Sequence, residues 1–195
     1  MRKLFILFIL VLGLSIIGPS GAKAVPFLGF DPASQIVDVG DSISVDVTIS
    51  GLGTGTGSDI VAAFNIDVSF DPGVLTATSV AYGSELGVFF PPVTSAPTVI
   101  AGGVNFAELS LDSDANLQMF QPDAFTLVTL GFNVLSLGSS SLTFSNVSLL
   151  TNLSQPLGVD AGSGSVAPVP EPTTMLLLGS GLIGLAGFRR MFRKR

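Results

Sequence analysis

Asp112-Ser113-Asp114-Ala115-Asn116 sets oxygen ligands at alternate positions, as a calcium loop begins. An EF-hand would need Gly where Leu117 stands and a bidentate acid at the twelfth position, where Asp123 stands, together with flanking helices; only the first half of the pattern is met. Asp112, Asp114 and Asn116 are therefore the candidate metal ligands, with a solvated acidic loop as the plainer reading. Calcium is the one cofactor for which ligands are offered, and none is required. Glu85 and Glu108 are the only glutamates outside the termini, and two carboxylates across a cleft can hydrolyse a glycosidic bond. Sugar sites usually supply flat aromatic faces, however, and this chain has no Trp and one Tyr, Tyr82. The two glutamates read as incidental loop positions. No residue is proposed as catalytic.

Two further clusters invite chemistry. Gly51-Leu52-Gly53-Thr54-Gly55-Thr56-Gly57-Ser58 has the glycine content of a phosphate cradle, but such a cradle opens a helix, whereas here an alternating strand pattern follows and no Lys is near. It reads as a flexible hairpin loop. Phe89-Phe90-Pro91-Pro92 puts two aromatics side by side, and adjacent side chains of a regular strand face opposite ways. Either one ring forms an exposed contact patch or a bulge buries both.

The absences are as informative. With no His and no Cys, the chain cannot build a Ser-His-Asp triad, a thiol nucleophile, or a His or Cys zinc site. Its 8 Lys and Arg residues against 14 Asp and Glu give a formal charge of −6. All eight cations lie at the ends (Arg2, Lys3, Lys23 and the run from Arg189), so nothing from Ala24 to Phe188 is positive. A nucleic-acid partner is excluded, because phosphate contacts require Lys and Arg.

The elements that must hold these clusters are strands. Ile43, Val45, Val47 and Ile49 alternate with Ser, Asp and Thr, and Phe64, Ile66, Val68 and Phe70 alternate with Asn65, Asp67 and Ser69 before an Asp71-Pro72-Gly73 turn. Further strands are expected at 35–39, 76–81, 98–106, 125–134 and 141–149. In the strand at 125–134, Val128, Leu130, Phe132 and Val134 face inward and Asn133 outward. Phe64, Phe70, Phe125, Phe132 and Phe144 are expected core. No helix is expected between the termini, and turn signals recur about every ten residues. The fold class is all-β, a sandwich of two antiparallel sheets.

The termini read as addresses. Arg2 and Lys3, an apolar run from Leu4 to Ile17 and Ala22-Lys23-Ala24 form the pattern of a secretory signal peptide cleaved after Ala24. At the other end, Val169-Pro170-Glu171-Pro172 precedes an apolar run from Thr173 to Phe188, then Arg189, Arg190 and three more cations. That run would reach about 24 Å as a transmembrane helix, slightly short of a typical hydrocarbon core unless Thr173, Thr174 and the flanking arginines snorkel at its edges, yet long enough to be held in a membrane, and the cations keep its far end in the cytoplasm. In order and content this tail resembles the PEP-CTERM sorting domain of exopolysaccharide-producing Gram-negative bacteria. The resemblance implies anchoring in the inner membrane, processing by an exosortase near Pro170-Glu171-Pro172, and release to the cell surface or extracellular matrix. The expected organisation is 1–24 signal peptide, 25–168 sandwich and 169–195 sorting signal.

The middle of the chain resembles the cohesin domain. The matching residues are Val39-Gly40-Asp41 leading into the strand to Val47, Phe64 to Val68 leading into Phe70-Asp71-Pro72-Gly73-Val74-Leu75 and Val80, and Phe125-Thr126-Leu127 with Leu130 to Val134. This resemblance implies a nine-stranded jelly-roll sandwich, related in shape to carbohydrate-binding modules, that binds rather than catalyses. Cohesins hold dockerin-bearing enzymes and some bind calcium, but the partner-facing residues do not transfer. The expectation is a non-enzymatic, exported binding or structural protein with a dockerin-like protein or a polysaccharide as partner; the alternative is a carbohydrate-binding module for exopolysaccharide or another glycan.

Overall fold

A computed structural model describes residues 24–151, 155–169, 177–183 and 185. Most of the expected signal peptide, with Ala22, and the sorting residues Pro170, Glu171, Pro172, Arg189 and Arg190 lie outside the described residues. Residues 177–183 and 185 are helical, with Leu177, Leu178, Leu182, Ile183 and Leu185 exposed. Among the described residues no helix is long and apolar enough to cross a membrane.

Alternating side chains make each long strand two-faced, and two such sheets bury their apolar faces against each other. The first sheet contains β1 (Phe27–Asp31), β3 (Ser42–Ser50), β5 (Leu75–Tyr82), β9 (Phe125–Val134) and β11 (Asp160–Ala161), in the order β11-β1-β3-β9-β5. The second contains β2 (Ser34–Asp38), β4 (Ala63–Ser69), β6 (Val93–Thr94), β8 (Gly103–Leu109), β10 (Ser140–Leu150) and β12 (Gly164–Val169), in the order β2-β12-β10-β4-β8-β6, with β7 (Thr98–Ile100) also on β8. Pairing is antiparallel except β1 with β11 and β2 with β12. Nine of these strands have five or more residues; β6, β7 and β11 are stubs, so the expected nine-stranded sandwich is the frame observed.

The core lies between the sheets. Val45, Val47 and Ile49 of β3, Phe64, Ile66 and Val68 of β4, and Val128, Leu130, Phe132 and Val134 of β9 are buried, while Asn133 is exposed. Phe70 meets Phe132 edge-on at 5.2 Å between centroids, and Phe30 stacks on the half-buried Phe144 at 4.4 Å. Opposite Val47 and Thr48 the register skips Leu127, and this bulge lets the adjacent Leu127 and Val128 both be buried.

Four expectations are corrected. The strand expected at 98–106 is a hairpin, β7 and β8, turned at Ala101-Gly102, where Gly102 has φ +80 and a Cβ would press on Phe70 and Pro72. The Gly51–Ser58 stretch is no hairpin, because β3 and β4 lie in different sheets; it is a crossover pinned to Asp123 by Gly53 N–H to Oδ1 (2.7 Å) and Leu52 N–H to the carbonyl. A helix, α1 (Asp114–Phe120), does form between the termini. Glu108 is no loop residue: it lies in β8, facing inward. In addition, β12 runs through Val169, one residue into the segment expected as tail.

Candidate functional site

The elements that matter meet at one pole of the sandwich, where β5, β8 and β10 end and β9 begins. The inward phase of β8 runs Val104, Phe106, Glu108 and continues past the strand to Ser110 and Asp112, all buried. Apolar side chains thus give way to polar ones under the loop between β5 and β6. Glu108 is 3% exposed and its Oε1 has no hydrogen-bond partner. Burial pushes its pKa up to about 7.

That loop, residues 83–92, is held from beneath. Gly83 opens it with N–H on the Leu127 carbonyl (2.8 Å), so close to β9 that a Cβ would sit 2.1 Å from the Thr126 oxygen. Leu86 is buried. Asp112 Oδ2 accepts the backbone N–H of Phe89 (3.0 Å) and of Phe90 (3.5 Å), and Oδ1 accepts the Asn116 amide (3.4 Å). Burial pushes the Asp112 carboxyl up, but the N–H donors of Phe89, Phe90 and Val88 and the Asn116 amide outweigh it and hold the group below the usual carboxylate range.

Helix α1 forms the other side. Ser113 caps its N-terminus by accepting Asn116 N–H, and Asp114 sits in the first turn, favourable for the helix dipole. Leu117 is buried against Ile60, Ala62 and Val88. Gln121 ends the helix: buried, it exchanges two 2.9 Å bonds with the Val61 backbone and donates to the Glu85 carbonyl (3.3 Å). Satisfied buried polar groups of this kind fix one arrangement of the chain around them.

What this scaffold displays is apolar. Phe89 is 59% exposed and Phe90 56%, so neither expected alternative holds: both rings, not one, lie outside. Phe89 packs edge-on against Phe120 at 5.3 Å, and Phe120, Met119 and Leu111 are exposed too.

Asp112, Asp114 and Asn116 are brought together, but as a helix start. Asp112 is engaged by N–H donors, Asn116 turns its amide NH2 toward it, and Asp114 Oδ1 has no hydrogen-bond partner. Among the described residues no three acidic, His or Cys side chains are placed so that they could hold one metal ion. Glu85 and Glu108 do not flank a cleft, since Glu108 is sealed inside.

A second feature lies on the outer face of the β10-β4-β8 sheet. The Asn105 amide donates to Asn65 Oδ1 (2.7 Å) and to Asp67 Oδ1, lining with Ser69, Ser145 and Thr98 a groove of about 220 Å³. On the opposite sheet, Asp46 accepts Thr129 Oγ1 at 2.6 Å in a face of Ser and Thr side chains.

Sequence reasoning singled out Phe89 and Phe90, but not Phe120, Gln121 or the inward placement of Glu108. The alternation Val104, Phe106, Glu108, Ser110 was available to find the last.

Comparison with known proteins agrees with this architecture. The sequence model of the PEP-CTERM protein-sorting motif matches residues 168–190. No curated protein matches the chain. Among solved structures, a cohesin from Clostridium acetobutylicum aligns with TM-score 0.58 at 19% identity, covering 75% of this chain and 92% of its own. A non-cellulosomal cohesin from the archaeon Archaeoglobus fulgidus aligns with TM-score 0.55 at 19% identity, covering 79% and 96%. The OlpC cohesin of Clostridium thermocellum, solved with a dockerin, aligns with TM-score 0.59 at 12% identity, covering 78% and 99%. The chain therefore has a cohesin-like fold followed by a PEP-CTERM sorting motif.

Proposed function

We propose that this is an exported, non-enzymatic binding protein of a Gram-negative cell surface or extracellular matrix. An exosortase-type enzyme sorts it through its C-terminal motif, and a protein partner docks on the aromatic patch of Phe89, Phe90 and Phe120. The observation that carries this reading is the pairing of exposed rings with buried anchoring. Asp112 and Gln121 immobilise the backbone under the patch, and a rigid aromatic patch loses little entropy on binding. Support for a protein partner comes also from the dockerin complexes of the similarly folded cohesins.

A second reading, recognition of exopolysaccharide or another glycan, is favoured by the Asp67–Asn105 groove. Carboxylate and amide pairs can accept and donate to hydroxyls, and a neutral ligand suits a domain without cations.

One experiment separates the two. Matrix from the native cells, with and without protease treatment, is offered to wild type, Phe89→Ser/Phe90→Ser and Asp67→Ala/Asn105→Ala. Binding abolished by protease and by the Phe variant supports the protein partner. Binding that survives protease and is lost in the Asp67 variant replaces it with the glycan.

A further inference from the structure

We propose that the opposite pole of the sandwich rests on the membrane, with Val39, Leu135, Leu137 and Val169 seated in a zwitterionic headgroup layer until the tail is removed. The inference rests on the reading of Thr173–Phe188 as the membrane anchor, and adds the orientation of the domain upon it.

Strand register fixes which residues share this pole. Val169, the last residue of β12, pairs with Asp38 at the end of β2. The turn that follows β2 is bonded to the end of β9 by Gly40 N–H to the Val134 carbonyl (3.0 Å), and Leu135 N–H reaches Val74 (2.8 Å). The chain therefore leaves the domain beside the loops that carry Val39, Leu135 and Leu137, and all four side chains are exposed. Loop tips are ordinarily polar, and a Leu-Ser-Leu tip with both leucines in water is an unfavourable arrangement for a free pole.

Chain length then names the occupant. Only Pro170, Glu171 and Pro172 separate Val169 from the apolar run at Thr173. Four Cα steps span at most about 15 Å, and the headgroup region adds roughly 5–8 Å on each side of a hydrocarbon core. While the run is in the bilayer, this pole is held within about 10 Å of the lipid surface, and its exposed Val39, Leu135 and Leu137 favour closing that gap. Charge selects the lipid: Asp38, Asp41 and Asp71 are exposed at this pole and no cation lies between Ala24 and Phe188, so anionic headgroups are repelled and zwitterionic ones are not. The ten residues of β9 set the two poles about 30 Å apart, which points Phe89 and Phe90 away from the membrane.

The chain has no Trp, so single-Trp variants report one place each. The chain with its C-terminal segment is reconstituted in phosphatidylcholine vesicles with brominated acyl chains, as Leu137→Trp, Val39→Trp, Phe90→Trp and Leu182→Trp. The expected result is strong quenching at 182, clear quenching at 137 and 39, and none at 90. Quenching at 182 with positions 137 and 39 as unquenched as 90 overturns the resting pole and leaves the anchor intact. No quenching at 182 overturns the anchor, and the resting pole with it. Because both loop positions are exposed, melting temperatures within a few degrees of wild type verify that each variant is folded.

Discussion

At the scale of single residues, two buried carboxyls under one loop pull stability in opposite directions with pH. Glu108 has a folded pKa of about 7 against an ordinary value of 4.5. Its folded form therefore binds more protons than its unfolded form over that interval. Stability from this group is complete below about pH 4.5 and is lost as pH rises toward 7, by about 3 kcal/mol in all. Denaturant unfolding at pH 5 and pH 8 should show the wild type weaker at pH 8, and Glu108→Gln should flatten the difference. An unchanged slope in the variant would mean another group is responsible. Asp112 has the other sign: its pKa is lowered, so its contribution is present above the ordinary carboxylate range and lost on acidification. Asp112→Ala leaves the Phe89 and Phe90 N–H groups without their acceptor. Hydrogen exchange at those two amides should accelerate by about tenfold or more, with strand amides of β9 little affected.

At the scale of elements, the loop and α1 act together, and predictions divide by which side of them is touched. Phe89→Ser/Phe90→Ser removes largely exposed rings and should cost no more than about 1.5 kcal/mol, chiefly the Phe89–Phe120 contact, while Leu117→Ala, beneath α1, should cost about 2–5 kcal/mol. Gly83→Ala drives a Cβ into the Thr126 carbonyl and should cost about 2 kcal/mol or more, because backbone on both sides resists the shift. Urea titrations rank all three. The long strands were legible because one sheet face is apolar: the expected span of β9 is the observed one, and β3 and β4 show their inward residues without ambiguity. The rest was obscured for physical reasons. Helix α1 is seven residues with one buried side chain, too short to show a helical period, and its only sequence mark is Ser113 before an acidic turn. The turn was marked by Gly102-Gly103, but the strand formers on either side, Val99-Ile100 and Val104-Asn105-Phe106, made the stretch read as one strand. Glu108 sat on the inward phase of its strand, but its charge disguised it as surface. That Phe120 meets Phe89 depends on packing across thirty residues of sequence, which no local pattern encodes.

At the scale of the whole molecule, charge is arranged so that salt acts mainly in one direction on the domain. All fourteen acids except Glu171 lie between residues 25 and 168, and every cation lies outside that span. The sandwich can therefore contain no side-chain salt bridge of its own, and the eleven acids other than the buried Glu108 and Asp112 repel one another. In most proteins added salt weakens attractive surface pairs as well as repulsive ones, and the two effects partly cancel. Here no side-chain ion pair offsets the repulsion, which is the larger part of what salt can screen. The sandwich produced alone, as residues 25–169, should melt at progressively higher temperature as sodium chloride rises from about 10 mM to about 200 mM, over which the Debye length falls from about 30 Å to below 10 Å. The gain should level off once that length is shorter than the spacing between neighbouring carboxylates. Potassium acetate at the same ionic strength should give the same curve, since screening depends on charge and not on ion identity. A melting temperature that falls with salt would show that the acids are engaged in attractive contacts, and mutual repulsion would no longer describe the surface of the folded domain.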